Sequence, residues 1–173
     1  QLQSKPSEAF LKLWLDKTLE VVREYSPDML WFDTGLARIR EDVKLSMLSS
    51  YYASRPDGIV AYKRHDLPPG CGIVDLELGR SADLAYHPWI TDTTIDEGEG
   101  WGYVAGLGYR TAGSLLHYLI DNVSKNGGLL LSVGPRPDGS LPGEVVSVLS
   151  DMGGWLALNG EAIYDTTPWT TCG

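Results

Sequence analysis

The sequence predicts an α/β fold of the barrel type, and three observations predict it. Amphipathic helical stretches alternate with short apolar runs, polar residues gather just after those runs, and no glycine-rich phosphate loop follows any of them. The last point favours a barrel over a doubly wound sheet. Short apolar runs joined by crossover helices mark a parallel sheet, whose strands are buried on both faces. Four or five such strands can be distinguished, whereas a complete (β/α)8 barrel typically needs about 250 residues. The 173 residues therefore read as the C-terminal half of a TIM-barrel-like domain.

Each element has its own justification. Ser4, Pro6 and Glu8 are start signals for a first helix that carries Leu11, Trp14, Leu15, Thr18, Val22 and Tyr25 at helical spacing. Met29 to Phe32 are too few for a helix and follow Pro27, so they read as a buried strand delivering Asp33 before Gly35. The stretch from Arg40 to Tyr52 is helical, with Val43, Met47, Leu48 and Tyr51 on one side, and Pro56-Asp57-Gly58 stops it. Gly58 to Tyr62 form a second strand with Lys63, Arg64, His65 and Asp66 at its end. Ile73 to Glu77 alternate apolar and acidic residues, which predicts a strand with Asp75 and Glu77 on one face. Residues 85–109 read as a long functional loop with at most one short strand, its acidic run of Asp96, Glu97 and Glu99 forming a solvated face.

Regularity returns at Thr111. Leu115, Leu116, Leu119, Ile120 and Val123 form a helical stripe that Lys125-Asn126-Gly127 ends, and Leu129 to Val133 form a buried strand. Pro142 and Glu144 start a last helix, with Val145, Leu149, Met152, Trp155 and Leu156 inward and Asn159-Gly160 as its stop. Residues 162–173 are a tail leading out of the barrel.

Composition narrows the partners. A net charge of −9 and a pI near 4.7 argue against a nucleic-acid backbone or an anionic membrane surface. No run approaches the roughly 20 apolar residues of a membrane span. Cys71 and Cys172 lack metal-type spacing and leave the redox compartment undetermined. The chain opens at Gln1 on a helix already under way, without signal-peptide features, so the expectation is an internal piece of a longer protein. Its compartment is undetermined: a secreted, periplasmic or lysosome-like location would follow from a signal peptide further upstream.

A carboxylate at a strand end suits either a cap for the next turn or catalysis, and Trp31 with the carboxylates downstream favours catalysis. A strand-end Asp33, nearby aromatics and a second carboxylate from a neighbouring strand match glycoside hydrolysis, in which one carboxyl attacks and the other protonates the leaving oxygen. Tryptophans offer flat apolar faces to a sugar. Phosphoryl transfer through an aspartyl nucleophile is a rival, although its usual second Asp is replaced by Gly35. A non-enzymatic sugar-binding module is another; it explains the tryptophans and leaves the strand-end carboxylates unexplained.

Four blocks now carry a resemblance. Leu30-Trp31-Phe32-Asp33, Trp101-Gly102-Tyr103, the run from Asp121-Asn122-Val123-Ser124-Lys125-Asn126-Gly127 to Val133-Gly134-Pro135, and Trp155 with Asn159-Gly160-Glu161-Ala162-Ile163-Tyr164 resemble the α-L-fucosidases of glycoside hydrolase family 29. Order and spacing agree across nearly the whole chain. The resemblance implies a retaining hydrolase that removes terminal α-L-fucose from glycans or glycoconjugates, on a barrel usually followed by a β-sandwich. Residues 1–173 are then a partial catalytic domain. No cofactor or metal is expected. The substrate is a fucosylated oligosaccharide or glycoconjugate, and self-association of the full-length enzyme is left open.

By the same resemblance Asp33 matches the nucleophile and Trp31 a residue lining the sugar pocket. Glu77, in an Asp-x-Glu-x-Gly setting, falls where several members place the acid/base. Lys63 stands where some relatives carry a sugar-contacting arginine, with Arg64 adjacent, and Trp89 and Trp101 are the further expected sugar contacts. Many relatives have Lys-Trp-Glu where this chain has Pro88-Trp89-Ile90; the missing glutamate raises Glu77 and leaves Glu97 and Glu99 as runners-up. Gly128 and Ser132 replace common asparagines. The family's hydroxyl-gripping histidines come from earlier strands, so His65, His87 and His117 are not assigned that role, and His117 reads as structural.

Overall fold

The computed structural model describes residues 5–64, 66–98 and 100–171. Ser4, His65, Glu99 and Cys172, which figure in the sequence reading, lie outside the described residues. The chain divides into two compact units, residues 1–75 and 76–173, each with its own apolar cluster.

In the first unit Ser7 caps the opening helix α1 (Glu8–Tyr25), its side chain accepting the Phe10 N–H at 3.2 Å. Strand β1 (Met29–Phe32) follows, then helix α2 (Glu41–Ser54), strand β2 (Ile59–Lys63) and strand β3 (Ile73–Asp75). Between β1 and α2 the chain makes one 3-10 turn, Leu36–Arg38, entered through Gly35 at φ 94. A glycine occupies that left-handed conformation without the Cβ penalty other residues meet.

The three strands are parallel. Trp31 is registered with Ala61, Phe32 with Tyr62, and Lys63 with Asp75. Because side chains alternate across a strand, this register sorts the residues onto two faces. Leu30, Phe32, Val60, Tyr62 and Val74 join Leu11, Val22, Val43, Met47, Leu48 and Tyr51 in one core beneath α1 and α2. Trp31, Ala61, Lys63, Ile73 and Asp75 therefore share the opposite face, with Asp33 next along β1. Cys71 is a half-buried free thiol.

Strand β3 is shorter than the sequence predicts. It stops at Asp75, because Leu78 adopts φ 52 and Gly79 N–H closes back on the Leu76 carbonyl at 2.8 Å. Asp75 is buried and Glu77 is exposed, so their environments differ.

The second unit contains strand β4 (Trp89–Thr94), helix α3 (Ala112–Ser124), strand β5 (Gly127–Ser132) and helix α4 (Gly143–Asn159). Residues 85–109 thus hold a full six-residue strand, parallel to β5 from Trp89↔Gly127 to Thr94↔Ser132. The Thr-Asp-Thr-Thr run looks polar, yet it is buried because its hydroxyls find partners inside. Thr91 Oγ1 donates to the Leu76 carbonyl at 2.7 Å and lies 3.2 Å from the Tyr118 hydroxyl, while Arg110 reaches Thr93 Oγ1 at 3.3 Å. Once the hydroxyls are satisfied, β-branched threonine packs in a strand as valine does.

Helix α3 starts at a Thr111 cap and buries Leu115, Leu116, Tyr118 and Asn122. The apolar stripe is rotated relative to expectation: Ile120 is 39% exposed while Tyr118 is buried. Asp96 departs from the expected solvated face, being 8% exposed with Oδ1 accepting the Gly98 and Gly100 N–H groups at 2.9 Å. Among the described residues no helix is long and apolar enough to cross a membrane.

Candidate active site

Asp33 is the first residue beyond β1, at the carboxyl end of a parallel strand, where ligand sites of α/β proteins gather. Its side chain is 56% exposed, and Lys63, only 8% exposed, holds it at 2.9 Å. A buried ammonium is costly without a counter-charge, so the pair gives Lys63 a reason to reach outward and gives Asp33 a fixed orientation. The register of β1 with β2 places these two side by side although 63 and 33 are far apart in the chain.

Trp31 completes this corner. The Lys63 ammonium lies 5.4 Å from its ring centroid, a cation–π distance, and its indole N–H donates to Asp75 Oδ2 at 2.6 Å. The ring remains 38% exposed, enough to present apolar surface to a ligand. Three of the predicted site residues, Trp31, Asp33 and Lys63, are thus brought together. Arg64 follows at φ 60 and is exposed.

Glu77 belongs to the second unit and is exposed. Its neighbours are pinned: Leu76 N–H donates to the Ile90 carbonyl and Leu78 N–H to the Asp92 carbonyl, each at 2.9 Å. Tyr118 Oη donates to the Gly79 carbonyl at 2.5 Å, tying the following turn to α3. The glutamate therefore projects from a backbone segment bonded along β4. Glu97 is exposed in the loop after Asp96, and its N–H donates to the Gly108 carbonyl at 3.0 Å.

The two remaining tryptophans differ in environment. Trp101 is 46% exposed, on a loop whose backbone passes so close to Gly134 that a Cβ there would stand 2.4 Å from Tyr103 N. The Trp-Gly-Tyr and Val-Gly-Pro blocks singled out in the sequence thus meet in space. Trp89 does not fit the expected ligand-facing role. It is 5% exposed, donates its indole N–H to the Lys125 carbonyl at 3.0 Å, and lies against Gly127, where a Cβ would stand 2.4 Å from the ring. Its work is to pack β4 on β5. His87 and His117 are both exposed.

Sequence reasoning gave no role to two carboxylates that the fold buries. Asp75 and Asp92 are each 3% exposed. Asp92 alternates with Thr91 and Thr93, and Thr91 meets Tyr118 of α3, so Asp92 occupies the other face of β4. The available signal was its place in a period-two pattern, hidden by the polar look of that stretch. Among the described residues no group of three or more His, Cys, Asp or Glu side chains could hold a metal ion.

Parallel strands, crossover helices and a strand-end carboxylate braced by a buried lysine define an α/β protein with a candidate ligand site at the carboxyl end of β1. The comparisons with known proteins specify the family. A family model described as Alpha-L-fucosidase matches residues 1–161. The plasma alpha-L-fucosidase of Rattus norvegicus is 34% identical over 169 residues, covering 90% of this chain and 36% of that protein. The plasma alpha-L-fucosidase of Homo sapiens is 32% identical over 169 residues, covering 90% and 35%. A solved alpha-L-fucosidase superimposes with a TM-score of 0.83 at 29% identity, covering 96% of this chain and 38% of that one. The Thermotoga maritima alpha-fucosidase solved in complex with fucose gives 0.79 at 30% identity, covering 96% and 37%. The chain belongs to the alpha-L-fucosidase family. It spans about a third of the length of the curated relatives it matches.

Proposed function

We propose that the full-length protein carrying this chain is a retaining glycoside hydrolase that releases terminal α-L-fucose, and that these residues supply the C-terminal half of its (β/α)8 barrel. The observation that carries this reading is the Asp33–Lys63 pair at the end of β1, 2.9 Å apart with the carboxylate open to solvent. A nucleophile must be ionised, oriented and reachable. In the first step an Asp33 oxygen bonds to the anomeric carbon as the bond to the leaving oxygen breaks, and Glu77 gives that oxygen its proton. In the second, Glu77 takes a proton from water, whose oxygen displaces Asp33 and regenerates both groups. Trp31 and Trp101 offer exposed ring surface to the sugar, and Lys63 and Arg64 offer donors to its hydroxyls.

The fucose specificity rests on family membership and on the relative solved with fucose. The substrate is accordingly a fucosylated oligosaccharide or glycoconjugate. In the full-length protein, Asp33→Gly is expected to abolish turnover of an aryl α-L-fucoside, with added azide restoring a fucosyl azide of inverted configuration. Hydrolysis at the wild-type rate by that variant would remove Asp33 from the mechanism.

A further inference from the structure

Asp75 has no role in the scheme above, yet it is a 3% exposed carboxylate at the carboxyl end of β3. Burying such a group is expensive unless strong donors face it. One donor is the Trp31 indole, at 2.6 Å from Oδ2, short for an N–H donor. The register explains how the two meet. Trp31 pairs with Ala61, and Ala61 with Ile73, so the indole must extend from β1 over β2 to reach a side chain on β3. The residue it crosses is a fully buried alanine, which leaves the necessary room.

We propose that Asp75 is a positioning residue for the nucleophile, acting through Trp31 and Lys63. This rests on the reading of Asp33 as nucleophile. Three consecutive contacts make the connection: Asp75 Oδ2 to Trp31 Nε1 at 2.6 Å, the Trp31 ring to Lys63 Nζ at 5.4 Å, and Lys63 Nζ to Asp33 Oδ1 at 2.9 Å. A half-exposed indole at the end of a four-residue strand has two soft torsions, and a bond at its far tip fixes both. With the ring fixed, the lysine lies against a fixed face while it holds Asp33. Small misplacements of a nucleophile cost rate out of proportion to their size.

The test is a double-substitution cycle in the full-length protein. Asp75→Asn removes the charge and keeps the shape; Trp31→Phe keeps most of the ring and removes the donor. Asp75→Asn is expected to lower kcat for an aryl α-L-fucoside by about 10- to 100-fold, with KM changed much less. The double variant is expected to be no slower than the slower single one, because both cut the same link. Fluorine NMR of 5-fluorotryptophan protein is expected to show the Trp31 signal, assigned by its loss in Trp31→Phe, shifted and broadened in Asp75→Asn. Multiplicative losses in the double variant, or a wild-type kcat in Asp75→Asn, would overturn the proposal. Should Asp75→Asn fail to fold, Trp31→Phe interrogates the link from its other end, and an unchanged kcat there overturns it equally. Asp33→Gly separates the two readings: if it is inactive and rescued by azide while Asp75→Asn is wild-type, only the positioning role is lost.

Discussion

Glu77 is exposed while the residues on both sides of it donate their N–H groups to β4 at 2.9 Å. A proton donor has to reach a leaving oxygen and return to the same place for water, so a solvent-facing carboxyl on a pinned backbone suits the task better than one on a free loop. If Glu77 is the acid/base, it gives its proton to the leaving oxygen and later takes one from water. General acid assistance is worth roughly 10²- to 10⁴-fold. Glu77→Ala is therefore expected to slow natural fucosides by such a factor and to spare activated aryl fucosides, whose leaving groups need no proton. Equal losses on both substrate types, measured by steady-state kcat/KM, would pass the role to Glu97 or Glu99. At this scale the sequence was most informative where a residue's position along its own strand decided the matter, as for Asp33, and least where a partner decided it, as for Asp75 and Trp89.

The elements are held by side chains that no periodicity rule singles out for the purpose. Tyr51 of α2 is completely buried, and its hydroxyl lies 2.8 Å from the Asp28 carbonyl, 3.1 Å from that of Pro27 and 3.2 Å from the Ile59 N–H. It thus joins the helix to the starts of β1 and β2. Gly58 is required beside it, since a Cβ there would stand 2.5 Å from the hydroxyl. Burial pushes the Tyr51, Tyr52 and Tyr62 phenols above their ordinary value of 10.0. A raised folded pKa means that above about pH 10 the unfolded chain loses protons that the folded one still holds. The stability these groups contribute is complete below that pH and is lost as pH rises through the folded values. Tyr51→Phe is expected to cost about 1–3 kcal/mol at neutral pH, by orphaning buried backbone groups, and to make the alkaline decline shallower. Urea unfolding of the full-length protein from pH 7 to 11 checks both effects; an unaltered slope would exclude Tyr51 as a contributor to it.

For the molecule as a whole, the chain is about a third of its curated relatives, and its surface is consistent with needing more chain around it. Phe10, Leu13 and Val21 are 49%, 57% and 43% exposed, and with Trp14, Leu30 and Phe32 they line a groove of about 460 Å³ beside β1. Among the described residues β1 is hydrogen-bonded as a strand to β2 alone. An apolar groove next to an open strand edge invites association. The isolated 173-residue chain is expected to self-associate, to lack a sharp melting transition and to leave an aryl α-L-fucoside unhydrolysed, whereas the full-length protein does the reverse. Light scattering, calorimetry and a fucosidase assay on the two proteins test this. A soluble, cooperatively melting and fully active isolated chain would mean that these strands close a site of their own.

From the sequence alone, one can place the helices α1, α2, α3 and α4, the strands β1, β2 and β5, and a carboxylate at the end of β1. All of these rest on spacing, caps and breakers within about 20 residues, which act locally and leave local marks. Three further features waited on tertiary structure: that a threonine-rich run is a buried strand, that Trp89 packs inward while Trp31 stays accessible, and that Asp75, Trp31, Lys63 and Asp33 form one connected group. The reason is common to them. Whether a polar group can be buried depends on the partner that meets it, and in a parallel sheet that partner arrives on another strand, at a register set by the whole fold.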